Sequence, residues 1–141
     1  MSKFDFGRKS MVQYYTLKPP LQKVAYISLS LGLMDFSIIC GHRSEVEQTK
    51  AFNKGKSRVQ WPDGKHNSLP SQAMDCVPYV DGKISWNHFH CCVLAGIILA
   101  TAKYHDVNLR WGGNFDMDGE PITDQDFQDL CHFELIKKGE R

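Results

Sequence analysis

The segment KHNSLPSQAMDCVPYVDGKI, residues 65–84, is central to the fold that the sequence predicts. Residues 73–80 alternate in the manner of a β-strand, and Asp81 and Gly82 form a tight-turn signal that leads into a second short strand at residues 83–84. Before this strand, residues 55–70 are rich in Gly, Lys, Ser, Asn and Pro, which predicts a long irregular loop. Long loops in compact domains are often functional, and this one contains His66.

Two helices and a strand are predicted upstream of this segment. Apolar residues recur at helical spacing over residues 21–31, and the prolines just before them are tolerated in a first helical turn. Residues 36–40 read as a short buried strand that ends at Gly41. Ser44 and Glu47 form a capping-box pattern, so a second helix is expected from there to about Gly55.

Downstream, residues 86–104 predict a long core helix that buries positions 89, 92, 93, 96, 97, 100 and 104. Residues 109–112 read as a strand, residues 114–126 as an acidic loop and residues 131–136 as a final strand. Because helices come first and several short strands follow, the predicted class is α+β, with a small antiparallel sheet packed with helices.

Composition favours one globular domain over residues 1–141. Seventeen basic and sixteen acidic side chains give a net charge of +1, which argues against recruitment of nucleic acid or of an anionic membrane. The longest apolar run, residues 91–100, is too short to cross a bilayer, and the N-terminus has no stretch of signal-peptide type. Neither nucleic-acid binding nor membrane insertion is expected.

Three separated residues have the chemistry of a zinc site: His66, Asp75 and His132. Two imidazoles and a carboxylate are suitable zinc ligands, and a catalytic site leaves the fourth position to water. Spacing alone does not establish such a site, because isolated histidines are far more often surface or core residues.

The residues around these three resemble the D,D-peptidase-like zinc peptidases, and especially the phage L-alanyl-D-glutamate endopeptidases. The resemblance covers nearly the whole chain. It is carried by LKPPLQKV (residues 17–24), GHRS (41–44) with Gln48, KHNSLPSQAMD (65–75), RWGG (110–113) and DLCHFEL (129–135).

The resemblance implies roles for five residues. His66, Asp75 and His132 would bind zinc, Asp129 would be the catalytic base, and Arg43 would hold a substrate carbonyl or stabilise the oxyanion. Many relatives place the aspartate seven positions after the first histidine, whereas the separation here is nine.

Alternatives remain for several of these positions. Glu134 is a second acid near His132, and its expected role is to orient a ligand. Arg43 could instead pair with an acid at a helix start. Cys76 and Cys131 could bind zinc as thiolates, but neighbours of a strand ligand are expected to point to the opposite face.

A second metal site is suggested by residues 114–119. Asn114, Asp116 and Asp118, followed by Gly119, match the first half of a calcium loop. The twelfth position is Gln125, which lacks the bidentate carboxylate of a full EF-hand. These three residues are therefore candidate ligands of a weaker calcium site, the alternative being an acidic surface turn.

The expected function is hydrolysis of peptidoglycan stem peptides at the L-alanyl-D-glutamate bond by a monomeric phage endolysin. The enzyme would have no separate cell-wall-binding domain, would be made in the host cytoplasm, and would reach the wall after holin-dependent release. Two alternatives stay open: a D-alanyl-D-alanine carboxypeptidase or dipeptidase of the same family, and a non-catalytic zinc-binding domain.

Overall fold

The computed structural model describes residues 3–118 and 128–140. Its helices are α1 (Arg8–Tyr14), α2 (Pro19–Ser30), α3 (Glu45–Asn53) and α4 (His88–Tyr104), with a 3-10 turn at Lys65–Asn67. Its strands are β1 (Phe36–Cys40), β2 (Ala73–Val80), β3 (Lys83–Ile84), β4 (Leu109–Trp111) and β5 (His132–Leu135). The predicted α+β class is confirmed.

The strands form one antiparallel sheet in the order β1-β2-β5-β4, with β3 paired to β2. Helix α4 packs on β2, on β4 and on α2. The core between these elements is made of fully buried apolar side chains: Leu21, Val24, Ile38, Met74, Leu94, Ile98 and Phe133.

Several predicted boundaries are confirmed. Strands β1 and β2 have the predicted limits. Both hydrogen bonds of the capping box are present, with the Ser44 hydroxyl accepting from the Glu47 amide and the Glu47 carboxylate accepting from the Ser44 amide. Helix α4 begins at His88 because the Asn87 side chain accepts from two amides of its first turn.

The sequence did not predict helix α1. This helix has seven residues and no side-chain cap, and it buries only Ser10, so it carries almost no amphipathic signal. It is held instead by tertiary contacts with β1, where the Ser10 hydroxyl accepts a hydrogen bond from the Ile38 amide at 3.1 Å.

The predicted buried face of α4 was wrong. The helix buries Cys91, Leu94, Ala95, Ile98, Thr101 and Ala102. Phe89 and Tyr104, both predicted to be buried, are 83% and 84% exposed. The helix is apolar on most sides, so periodicity permits more than one face, and small residues at positions 95 and 102 let the backbone pack closely. In the described ranges, no helix combines the length and apolarity needed to cross a membrane.

The end of α1 and the residues that follow it hold the chain where it leaves β1. Gly41 donates its amide to the Gln13 side chain at 2.9 Å, and His42 donates its amide to the Thr16 hydroxyl at 2.9 Å. Ser71 donates its amide to the Thr16 carbonyl at 2.7 Å. These contacts leave no space beside Gly41, where a Cβ atom would overlap the Thr16 hydroxyl.

We predict that Gly41→Ala lowers the free energy of unfolding by about 1–3 kcal/mol, the usual effect of overpacking. Gly96→Ala is the matched control, because Gly96 lies in α4 with nothing within 4 Å of an added Cβ. This control should raise stability by up to about 1 kcal/mol, since alanine favours the helix. Urea unfolding measures both, and equal effects of the two substitutions would contradict the close packing at Gly41.

Candidate metal centre and active site

Three side-chain donors converge at the end of the sheet. His66 Nε2 lies 3.1 Å from Asp75 Oδ1 and 3.2 Å from His132 Nδ1. The third side of this triangle, from His132 Nδ1 to Asp75 Oδ1, is also 3.2 Å. Asp75 and His132 lie directly opposite each other in the β2–β5 register, and the 3-10 turn brings His66 to them.

The size of this triangle fits a tetrahedral metal ion. Zinc bonds of about 2.0–2.2 Å imply separations of about 3.3–3.6 Å between neighbouring ligands, slightly more than the observed sides. A nitrogen–oxygen–nitrogen donor set also matches the ligands that zinc prefers. The three residues therefore have suitable chemistry and spacing to hold such an ion with one position open.

Both imidazoles are oriented through the nitrogen that faces away from the triangle. His66 Nδ1 lies 2.6 Å from the Gly41 carbonyl oxygen, so this nitrogen is a donor, and Nε2 is the nitrogen that has the lone pair when the imidazole is neutral. His132 Nε2 donates to Glu134 Oε1 at 2.8 Å, which leaves Nδ1 as the nitrogen available to a metal ion. Such contacts fix the tautomer and the ring orientation of metal-binding histidines.

Glu134 is in turn fixed by Arg110, which donates to Glu134 Oε2 at 2.7 Å. Burial favours the neutral form of Glu134, but the hydrogen bonds from His132 and Arg110 outweigh burial and lower the pKa of Glu134 to about 2. The carboxylate is therefore charged throughout the neutral range. Arg110 belongs to the RWGG motif at residues 110–113, but that motif alone did not predict its contact with Glu134.

Before any metal ion binds, the Asp75 carboxylate and the two imidazoles control one another's protonation. Burial disfavours the imidazolium at His66, yet the Asp75 carboxylate outweighs burial and raises the pKa of His66 to about 10. Burial disfavours the anion at Asp75, but the two imidazoles hold the pKa of its carboxyl well below the usual range. Metal binding at neutral pH must therefore release protons, because a coordinating nitrogen has to be deprotonated.

Asp129 lies beside the triangle, in the turn before β5. One of its carboxylate oxygens is within 4.8 Å of a carboxylate oxygen of Asp75. Its backbone pairs with Gly112 through an amide-to-carbonyl hydrogen bond of 3.0 Å. A Cβ atom on Gly112 would overlap the Asp129 carbonyl oxygen, so the glycine allows the close approach that puts Asp129 at the site.

Arg43 contacts Asp75 through Oδ2, the carboxylate oxygen that is not part of the triangle. Its NH2 group lies 3.5 Å from Asp75 Oδ2, and its NH1 group donates to Gln48 Oε1 at 3.0 Å. The acid it pairs with is therefore Asp75, rather than a carboxylate at the start of α3. Gln48 is 1% exposed and binds Arg43, Asn67 and the loop after α3, a role that its sequence motif did not reveal.

A groove of about 670 Å³ opens over the triangle. Its lining includes both histidines, Asp129 and Glu134, and side chains from the loop that follows α3 and from the segment after β4. The described residues on its walls are Arg43, Gln48, Lys56, Ser57, Arg58, Val59, Asp63, Gly64, Lys65, His66, Arg110, Phe115, Asp116, Asp129, His132 and Glu134.

Comparison with known proteins identifies the family. Residues 1–136 match the family described as phage L-alanyl-D-glutamate peptidase. The chain belongs to this family. Over 118 residues it is 32% identical to the L-alanyl-D-glutamate peptidase of Escherichia phage T5, a match that covers 83% of this chain and 85% of the phage T5 protein.

The fold is also shared with the L-Ala D-Glu endopeptidase ChiX of Serratia marcescens. The TM-score is 0.76 over 97% of this chain and 94% of that protein, at 22% sequence identity. Membership of the phage L-alanyl-D-glutamate peptidase family confirms the predicted resemblance and the predicted enzyme class, a peptidase.

Two thiols lie near the triangle in this family member. Cys40 Sγ is 3.8 Å from His66 Nδ1, the nitrogen that already contacts Gly41. Cys40, His66 and Asp75 also offer atoms that lie within 4.8 Å of one another, so they form an alternative donor group. The set of His66, Asp75 and His132 has its two imidazoles on the groove lining, whereas the set with Cys40 has only His66 there among the described residues.

The expectation that Cys131 points away from the site was wrong. Strand β5 begins at His132, so Cys131 lies in the preceding turn and its Sγ is within 4.8 Å of Asp75 and Asp129 carboxylate oxygens. Burial raises the pKa of the Cys131 thiol, which disfavours the thiolate that a metal requires. Cys76 lies in the core, as predicted.

The candidate calcium segment is described only in part, since Gly119 and Gln125 lie outside the described residues. Asn114 Oδ1 is buried and has no hydrogen-bond partner among the described residues. Asp116 Oδ1 accepts from the Asp118 amide at 3.4 Å. The segment also reaches the metal centre, because the ring centroid of Phe115 lies 5.8 Å from that of His132.

We predict that Glu134→Gln weakens zinc affinity about 10- to 100-fold, because the charged acceptor that orients His132 is lost. Affinity is measured by competition with a chromophoric chelator, and circular dichroism checks that the fold is kept. Glu45→Gln, at the exposed start of α3, is the matched control and should leave affinity unchanged. Equal affinity in wild type and Glu134→Gln would show that this contact does not tune the site.

Proposed function

We propose that this chain is a zinc endopeptidase that hydrolyses the L-alanyl-D-glutamate bond of peptidoglycan stem peptides during phage-induced host lysis. The observation that carries the proposal is the convergence of His66 Nε2, Asp75 Oδ1 and His132 Nδ1 at the open groove, with Asp129 beside them. Family membership and the phage T5 relative support the reaction and the bond.

In this proposal His66, Asp75 and His132 hold the zinc ion. A zinc ion held by these residues would polarise the scissile carbonyl and make water a usable nucleophile near pH 7, since it lowers the pKa of bound water to about 7. The Gly41 carbonyl and the Glu134 carboxylate keep the two imidazoles in the coordinating tautomer.

Asp129 acts as the general base and then as the general acid. It takes a proton from the attacking water and later gives a proton to the leaving amine of D-glutamate, so the amide is replaced by a carboxylate and an amine. Support comes from its place on the groove wall, within 4.8 Å of the Asp75 carboxylate. Its backbone is fixed to Gly112, which limits the reorganisation needed during reaction.

Arg43 supplies fixed positive charge where the carbonyl oxygen becomes negative. A guanidinium has five N–H donors, and the contacts with Asp75 and Gln48 engage two of its nitrogens. Arg43 also lines the groove in which the substrate would lie. Stabilisation of a developing oxyanion by a preorganised donor is a large catalytic effect.

The proposal also covers the domain organisation of the enzyme and its access to the cell wall. Residues 1–141 act as one monomeric catalytic domain, and a phage holin gives the enzyme access to the wall. The main alternative of the same chemistry is removal of a terminal D-alanine, which differs only in the bond that is cut.

The decisive experiment is digestion of purified peptidoglycan with and without a zinc chelator, with the products identified by mass spectrometry. The proposal expects chelator-sensitive release of stem peptides that begin at D-glutamate. Loss of single D-alanine residues would instead assign the carboxypeptidase reaction. Intact muropeptides in both arms would assign a non-catalytic domain.

Substitution separates the base from the metal ligands. We predict that Asp129→Asn lowers kcat about 10²- to 10⁴-fold while full zinc occupancy is kept. His132→Ala should lose both zinc and activity. Asp81→Asn, in the β2–β3 turn, is the control and should keep both. Elemental analysis and a peptide-release assay give the two readouts, and an active Asp129→Asn enzyme would refute the assigned base.

We also propose that Asn114, Asp116 and Asp118 contribute to a weak calcium site. The buried Asn114 oxygen without a partner among the described residues supports this, because calcium prefers such oxygen donors. The contact of Phe115 with His132 would couple the site to the active centre.

Millimolar calcium is therefore expected to raise the melting temperature of the zinc-loaded protein, and Asp118→Asn should abolish this rise without loss of zinc. Asp81→Asn should keep the wild-type response. A melting temperature independent of calcium in the wild type would remove the proposed site.

A further inference from the structure

The groove has a basic wall that catalysis does not use. Lys56 and Arg58 line it from the loop that follows α3, and both side chains are exposed. Three further cations of the groove have anionic partners. These pairs are Arg43 with Asp75, Lys65 with Glu140 and Arg110 with Glu134.

Lys56 differs from those three cations, because it has no ion pair with any residue in the described part of the chain. The amide of Lys56 donates to the Ala51 carbonyl at 2.9 Å, which ties its backbone to the end of α3. The side chain is therefore an accessible positive charge on a fixed stretch of backbone.

The loop that carries Lys56 and Arg58 is anchored by the buried amide of Gln48. Gln48 Nε2 donates to the Ser57 hydroxyl at 3.0 Å and to the Val59 carbonyl at 2.6 Å. The other end of the same amide accepts hydrogen bonds from Arg43 and Asn67, each at 3.0 Å. One buried group thus joins the basic wall to the metal centre.

The proposed substrate presents an anion close to the bond that is cut. D-glutamate contributes its amino group to that bond and has two carboxyl groups. When the stem continues through one of them, the other is a free carboxylate only a few bonds from the scissile amide. This anion remains with the leaving part of the substrate after cleavage.

We propose that Lys56 and Arg58 form a subsite that binds the free carboxylate of the D-glutamate residue. The inference rests on the proposed function and extends it from the cut bond to the group that selects the substrate. Arginine offers a planar fork that suits a carboxylate, and lysine adds a point charge. Both residues line the groove, so a substrate carboxylate in the groove can reach them.

The test compares two synthetic stem peptides that differ only at this group. One has the free carboxylate, and the other has a neutral carboxamide in its place. For the zinc-loaded wild type, kcat/KM should be roughly 5- to 20-fold higher on the free acid, the effect of a charged hydrogen bond in an open site. Lys56→Gln and Arg58→Gln should each reduce this preference, and the double variant should abolish it.

Lys54→Gln is the matched control, because Lys54 is an exposed lysine on the same loop that does not line the groove. It should keep the wild-type preference. Calorimetry of the product that begins at D-glutamate gives a second readout, in which the double variant binds the acid and the carboxamide equally.

The outcomes separate the two hypotheses. If the wild type cuts neither peptide at this bond, the proposed function fails. If the wild type cuts both and the double variant loses activity equally on the two, or loses none, the carboxylate subsite is refuted while the proposed function stands. A preference that disappears only in the loop variants supports the subsite.

Discussion

The buried carboxylate of Asp75 is the constraint on which the rest of the site depends. An ionised group that is 6% exposed has lost most of its hydration, and such a loss is costly unless partners replace the water. Two imidazoles and a guanidinium replace it, each from a different part of the chain. The residues just after β1, the 3-10 turn and strand β5 therefore each place a side chain against the two carboxylate oxygens of Asp75.

Gln48 connects this arrangement to the loop after α3. Its amide is the shared partner of Arg43, Asn67 and the loop after α3, so one side chain connects the groove wall to the residues around Asp75. Both polar ends of this buried amide have protein partners, so the cost of removing the amide from water is offset only when these partners are in place. This explains a fully buried polar side chain in a helix that is mostly exposed.

The sequence predicted the local elements well, because capping, turn and strand signals are short-range. The limits of β1 and β2 and the capping box at Ser44 belong to this class. Prediction from the sequence failed where one hydrophobic pattern is compatible with more than one packed arrangement. Helix α4 is apolar on most sides, so its buried face depends on what packs against it. Helix α1 is marginal alone and exists through contacts with β1.

The candidate site was predictable only through resemblance, since its three donors are separated by up to 66 positions and meet through strand pairing. Once the pairing is known, much of the geometry follows. His132 lies directly opposite Asp75, so the short cross-strand distance is spanned by the nearer ring nitrogen, Nδ1. The farther nitrogen then points along the strand to Glu134, which shares the face because strand side chains alternate with a period of two.

The next strand completes the same series. Arg110 on β4 lies opposite Glu134 in the register, and this places its guanidinium on the carboxylate that orients His132. The sequence Asp75, His132, Glu134 and Arg110 thus runs across three neighbouring strands as a line of alternating charge-bearing partners. A shift of one residue in either pairing would turn His132 or Glu134 to the other face, so the register of β5 fixes the candidate metal centre as much as the identity of its donor residues.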